Sequence, residues 1–233
     1  MTVTLHHLES SQSFRVLWLL EELRMPYELK VYKRQPDLLA PPEFKAISPL
    51  GTSPTITSGD NFALSESNAI IDYILDKAST KEGLDTKNLR PAIDSVERND
   101  YLFWFHMPPS SMMYVMSTDS LFRALPQRVP WPISFILRMV AGKVRTNLLD
   151  PRLHAILKLA EKQLQTNEYL AGNFLTAADI TAIYPFESAW SRFPELKEQY
   201  PSCDTWLQRL RTRPAFKAAL EKSGADSVSL GMK

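Results

Sequence analysis

"TVTLHHLESSQSFRVLWLLEELRMPYELKVY", residues 2–32, changes its period twice. "TVTLHHL" is a short β-rich run. In "SFRVLWLLEEL" the residues Phe14, Leu17, Trp18 and Val16, Leu20, Leu23 recur at helical intervals until Met25 and Pro26 end them, and "YELKVY" alternates again. This is a β-α-β unit, and strand twist makes its crossover right-handed with parallel strands. Beyond it, "PPEFKAI" reads as a short helix. "PTIT" and "NFAL" read as two brief strands joined by a turn at Ser58, Gly59, Asp60 and Asn61. "SESNAIIDYILDKA" returns to helical spacing through Ile70, Ile71, Ile74 and Leu75.

Past Lys77 the strand signals stop. Residues 79–91 are polar and read as an exposed linker. From residue 92 onward the pattern is helical, punctuated by prolines from Pro108 and Pro109 to Pro214. The expected organisation is an α/β domain over residues 1–78, the linker, an all-helical domain over residues 92–221 and a mobile tail over residues 222–233. A chain of 233 residues, 44% of them hydrophobic, has core enough for two such domains.

Other features bound the function. The 27 basic and 26 acidic residues nearly cancel, which leaves no footprint for nucleic acid. The single cysteine, Cys203, has no intramolecular partner, and Met1 leads into strand-like alternation where a signal peptide has a basic and an apolar block. A reducing, cytoplasmic setting is expected. "VPWPISFILRMVAG", residues 129–142, is the nearest approach to a membrane span and carries Arg138 and two prolines. It reads as a core or pocket-lining helix; a peripheral membrane contact, at the endoplasmic reticulum, is the alternative.

Three stretches of the first domain carry polar groups placed for a ligand. Ser10, Ser11 and Ser13 lie where a helix begins just after a strand, and the free N–H groups and positive dipole end of a helix favour an anion there. One serine suffices as an N-cap, so three exceed what capping needs. Ser53 precedes Pro54 at the mouth of a strand. A cis bond there turns the Ser53 backbone outward to pair with an extended peptide, whereas a trans bond makes Pro54 an ordinary edge proline. Glu66 and Ser67 open the next helix, where the carboxylate matches an ammonium group while the Ser67 hydroxyl and helix N–H groups match a carboxylate. The plainer reading makes Ser65 or Ser67 a cap and Glu66 a favourable first-turn charge.

Together with "YLAGNFLTAADI" in the helical region, these motifs resemble the cytosolic glutathione transferases along nearly the whole chain. "PWPISFILRMVAGKV" followed by "DPRLHAILKLAEKQL" is most similar to their fungal GTT-type branch. The resemblance implies the glutathione transferase fold: an α/β thioredoxin-like N-terminal domain holding glutathione as co-substrate, and an all-α C-terminal domain walling a site for a hydrophobic electrophile. It implies that Ser53 pairs its backbone with the cysteinyl part of glutathione across cis Pro54, and that Glu66 and Ser67 hold the γ-glutamyl end. Thr52 stands where the family often has Lys or Gln, which moves the glycyl carboxylate contact toward Lys45.

For the hydroxyl that meets the thiol, Ser11 matches a theta-like spacing, four positions before Arg15, and ranks first. Ser10 matches a zeta-like register, and Ser13 is the candidate cap. Gln12 occupies the place of the zeta-class cysteine, which argues against zeta-type isomerisation and cysteine-based deglutathionylation. In the helical domain Leu102, Phe103 and Phe105 are expected in the core. Met112, Met113 and Tyr114, past the double proline where the helix must bend, are expected to line the hydrophobic substrate site. Thr176 and Asp179 form a capping-box variant. His106 and His154 have no partner at metal-ligand spacing, and His6 and His7 lie on a strand, so no metal is expected. The family pattern also implies a two-fold homodimer in which Asp100 reaches the partner's ligand. Conjugation is the expected reaction, with glutathione peroxidase activity beside it. A non-catalytic ligand-binding protein of the same fold and a pathway-specific biosynthetic transferase are the rivals.

Overall fold

The computed structural model describes residues 2–37, 39–48, 50–59, 62–81, 86 and 88–224. Strand β1 (Val3–Leu8), helix α1 (Ser13–Glu22) and strand β2 (Tyr27–Tyr32) form the expected unit, with β1 and β2 parallel from Val3 against Tyr27 to Leu8 against Tyr32. Helix α2 (Pro42–Ile47) leads to the antiparallel pair β3 (Thr55–Ser58) and β4 (Phe62–Ser65), and then to helix α3 (Ser67–Ser79). The sheet order is β2-β1-β3-β4. Asp60 and Asn61 of the expected turn lie outside the described residues. Helices α1 and α3 bury Leu17, Trp18, Ile70, Ile71 and Ile74 in a core shared with Leu5 and Ile56 of the sheet. That is why the apolar positions recur at helical spacing.

The link between the domains is pinned at its far end rather than free. Leu89 is buried and accepts the Ala177 N–H at 2.9 Å, while Arg90 pairs with Asp72 at 2.5 Å and with Asp76. Helix α4 (Arg98–Met107) does not break at the double proline. It widens into a π-helical turn, Pro108–Met112, and continues as α5 (Met113–Ala124), because prolines remove ladder donors that a wider turn accommodates. A 3₁₀ turn (Leu125–Arg128), α6 (Ile133–Val144), a second π-helical turn (Arg145–Leu149) and α7 (Asp150–Leu164) follow. The chain then runs through α8 (Ala177–Arg192), α9 (Leu196–Gln199), α10 (Pro201–Thr212) and α11 (Pro214–Ser223). Helix α11 extends past the expected start of the tail and closes on Gly224 in the left-handed conformation; residues 225–233 lie outside the described residues.

Helix α6 overturns the expectation of a core or pocket-lining helix. Only Ser134 and Ala141 of it are buried, and Trp131, Ile133, Phe135, Ile136, Met139 and Val140 are exposed. Helix α8, by contrast, is buried from Ala177 to Trp190 and forms the axis of the helical domain. The two domains share one apolar core. Phe14 and Trp18 of α1 meet Phe216 of α11 edge-on at 5.1 and 5.2 Å, and Glu22 pairs with Arg213 at 2.6 Å.

Candidate active site

The turn from β1 into α1 places the serines. Ser10 takes a left-handed backbone, φ 50°, which a non-glycine residue adopts at a cost. The turn is held from both domains: Arg34 Nε donates to the Glu9 carbonyl at 3.0 Å and the Tyr184 hydroxyl of α8 to the Ser10 carbonyl at 3.3 Å. Burial pushes the Tyr184 phenol up to about 12, so it stays a neutral donor.

Ser11 is buried and sits at the centre of a polar cluster. Its Oγ lies 2.6 Å from the Leu8 carbonyl, 2.7 Å from Ser13 Oγ and 3.1 Å from Ser53 Oγ, and it accepts the Ser13 N–H at 3.3 Å. Ser13 is not the cap. It is the first residue of α1, and its fully buried hydroxyl turns back to His7 Nδ1 at 2.7 Å; the helix N–H that a serine satisfies goes to Ser11. Among the described residues the backbone N–H groups of Ser11 and Gln12 have no hydrogen bond, and they are the first-turn donors open to an anion.

Ser53 joins this cluster from the β3 side. It precedes a cis Pro54, its Oγ accepts the Leu8 N–H at 3.4 Å, and no described residue bonds to its backbone. Thr52 is exposed, with its carbonyl taking the hydroxyls of Ser48 (3.1 Å) and Thr55 (3.3 Å). Lys45 of α2 lays its stem against Gly51, where an added Cβ would meet its Cγ at 3.5 Å, so the ammonium head stands beside the Thr52 loop.

Glu66 occupies the N-cap position of α3 with φ 78°, exposed and strained, and makes no capping bond; the expectation that Ser65 or Ser67 caps this helix fails. Ser65 instead bonds Thr55 Oγ1 at 2.9 Å, and Ser67 accepts from Arg15 Nη2 at 3.0 Å. Arg15 is the residue that the sequence reading used only as a spacing mark. It has no exposed surface, and desolvation draws its pKa down to about 10 against the opposing pull of Tyr184 and Glu66. Its Nη1 donates at 3.0 Å to the Thr181 carbonyl of α8. Pro185, four residues on, has no N–H to give that carbonyl, so the arginine supplies the missing bond. The available signal was a guanidinium set in an otherwise apolar helical face.

The expected substrate wall differs. Met112 and Met113 are buried, at 0% and 6% exposure, and belong to the core, so neither lines a site. Tyr114 is half-exposed and lines a surface cavity of about 480 Å³ with Ser110, Ser111, Val115, Arg152 and Ile156. Leu102 and Phe103 are partly exposed where core was expected; Phe105 is buried. Asp100 takes a 2.8 Å bond from Gln163 within its own chain. His6 bonds Tyr32 and Thr57, each at 3.0 Å, His154 bonds Tyr200 at 2.7 Å, and no described residues cluster as a metal site. Cys203 is buried and its thiol is pushed up, mainly by desolvation, which makes it inert.

A mixed four-stranded α/β domain carrying Ser11, Ser53 and the Glu66-Ser67 pair at the ends of its elements, packed on an all-helical domain, defines a thioredoxin-like transferase architecture. Residues 9–77 match the family model "Glutathione S-transferase, N-terminal domain" and residues 126–214 match "Glutathione S-transferase, C-terminal domain". The chain is similar to glutathione S-transferase 3 of Schizosaccharomyces pombe, 31% identical with 98% of this chain and 90% of that protein covered. It is also similar to glutathione S-transferase 1 of Saccharomyces cerevisiae, 31% identical with 96% of each covered. A solved glutathione S-transferase from Actinobacillus pleuropneumoniae superposes with a TM-score of 0.74 at 28% identity, covering 99% of this chain and 95% of that one. The chain belongs to the glutathione S-transferase family and is a transferase of it.

Proposed function

We propose that this transferase binds reduced glutathione along Ser53, Glu66 and Ser67, with Lys45 and Thr52 near its glycyl end, and conjugates it to hydrophobic electrophiles using Ser11 as the hydroxyl that stabilises the thiolate. The observation that carries this reading is the Ser11 hydroxyl, at the start of α1 and 3.1 Å from Ser53 Oγ. A free thiol titrates near 8.5, so at neutral pH it needs a partner that favours its charged form. The single Ser11 proton now has neutral acceptors, the Leu8 carbonyl and Ser53 Oγ, and an anionic sulfur outcompetes them because charge-assisted bonds are about twice as strong. The thiolate then attacks an electrophilic carbon and expels its leaving group. With a hydroperoxide the same thiolate takes the terminal oxygen, releasing an alcohol, and a second glutathione closes the disulfide with loss of water. Ser10 is the second candidate for the hydroxyl.

The test is the pH profile of conjugation with a generic aromatic halide. Ser11→Ala is expected to move the profile to higher pH with glutathione affinity largely kept. A shift from Ser10→Ala instead would overturn the assignment, and retained glutathione without turnover would favour a binding protein.

Three further elements belong to this reading. The protein acts as a cytoplasmic detoxification enzyme of fungal type, consistent with a lone thiol that forms no internal disulfide. It is a two-fold homodimer, supported by the apolar surface that Ile93, Val96, Leu102 and Phe103 leave exposed on and before α4. It touches a membrane surface peripherally, at the endoplasmic reticulum, through α6. Support for that contact is the exposed apolar side of α6 and a charge bias: between Asp119 and Asp150 the chain has Arg123, Arg128, Arg138, Lys143 and Arg145 and no acidic residue.

A further inference from the structure

We propose that His7 is a positioning residue for the Ser11 hydroxyl, acting through Ser13; the proposal rests on the reading of Ser11 given above. His7 lies on β1 and is 2% exposed. Its Nδ1 is 2.7 Å from Ser13 Oγ, which is in turn 2.7 Å from Ser11 Oγ, so three polar groups run in a line from the sheet to the start of α1. Among the described residues His7 Nε2 is buried without a partner.

That orphan atom sets the direction of the whole line. A hydrogen on Nε2 would bury an unpaired donor, the rarer and costlier defect; a hydrogen on Nδ1 leaves only an unpaired lone pair and makes the ring donate to Ser13. Ser13 Oγ, once it accepts from the ring, sends its own hydrogen to Ser11 Oγ. Ser11 then has no use for its hydrogen on that side and directs it outward, to the Leu8 carbonyl in the free protein and to a thiolate when one is present. Aligned hydrogen bonds polarise one another, so the terminal O–H is also a stronger donor than an isolated serine. Burial lowers the imidazole to about 4, so the ring is neutral across the working range and this direction does not reverse. The thiol itself never meets His7.

The experiment titrates the thiolate ultraviolet absorbance of glutathione bound to the whole protein, in the native chain and in Ser11→Ala, Ser13→Ala and His7→Phe. Ser13→Ala and His7→Phe are expected to raise the midpoint by roughly half a pH unit, in the direction of Ser11→Ala and by less. A histidine that only supports the fold would lower melting temperature and turnover at every pH and leave the midpoint in place. An unmoved midpoint in both variants, beside a moved one in Ser11→Ala, overturns the relay and spares the Ser11 reading. An unmoved midpoint in Ser11→Ala overturns both. Should His7→Phe fail to fold, Ser13→Ala, which removes one hydroxyl, carries the test. Nitrogen NMR of histidine-labelled protein is the independent check, with the Nδ1–H tautomer expected and the Nε2–H tautomer overturning the proposal.

Discussion

Arg15 is buried with its charge and keeps it because acceptors surround it: the Ser67 hydroxyl, the Thr181 carbonyl and the side chain of Gln12. Replacing it by Met leaves those acceptors buried and unpaired, and Arg15→Met is expected to cost about 3 kcal/mol in urea denaturation. The ligand side of the same cluster gives a second outcome. Glu66→Ala or Ser67→Ala should weaken glutathione binding by about 1–3 kcal/mol in a calorimetric titration, and unchanged affinity would remove both residues from the site. His7 gives a third. Its pKa falls from 6.5 in the unfolded chain to about 4 in the fold, so as pH drops through that window the unfolded state gains a proton that the folded state refuses. Stability present above pH 6.5 is then lost, by at most about 1.4 kcal/mol per pH unit, and His7→Phe should flatten that part of the profile. At this scale the sequence was legible for residues whose type is uncommon in its place, such as three serines before one helix. It was silent on Arg15 and His7, whose roles come from what lies across the core.

Helix α8 begins where the sequence says it should. The Thr176 side chain accepts the Ala178 N–H at 3.2 Å, and Asp179 returns the bond to the Thr176 N–H at 2.9 Å. The same carboxylate takes the Leu170 N–H at 3.0 Å and the Trp206 indole at 2.9 Å, which tie the preceding loop and α10 to this one start. Asp179→Ala therefore strands several buried donors at once and is expected to cost about 3–5 kcal/mol, read from thermal unfolding. The capping box could be read from spacing because its partners are three residues apart; the indole could not, because it lies 27 residues away. Helix α6 shows the opposite failure. An apolar run predicts burial, yet α6 leans on the 3₁₀ and π-helical turns at its own ends more than on any other helix, so among the described residues little covers its apolar side. If that side meets lipid, the protein should co-sediment with vesicles containing phosphatidylserine more than with neutral ones, and Trp131→Ala with Phe135→Ala should abolish the difference.

The order of elements in the whole molecule was readable because each strand and helix of residues 2–79 carries its own period. The substrate wall was not, since a methionine on a helix looks the same whether it faces a pocket or, as Met112 does, the interior. The expected dimer is checked by light scattering: a mass twice that of the 26.6 kDa chain supports it, and a monomer at working concentration counts against it. The core that α1, α8 and α11 share across the domain boundary has a consequence for anyone who cuts the protein. Phe14, Leu17 and Trp18 are covered in part by residues that arrive more than 150 positions later, among them Phe216. A fragment ending near residue 81 would keep every group proposed above to face glutathione and lose the lid over its own first helix. It should come off the ribosome sticky and be cleared by proteases, so the binding half is not a portable module, and recombination that swaps halves between relatives must carry α11 along with α1.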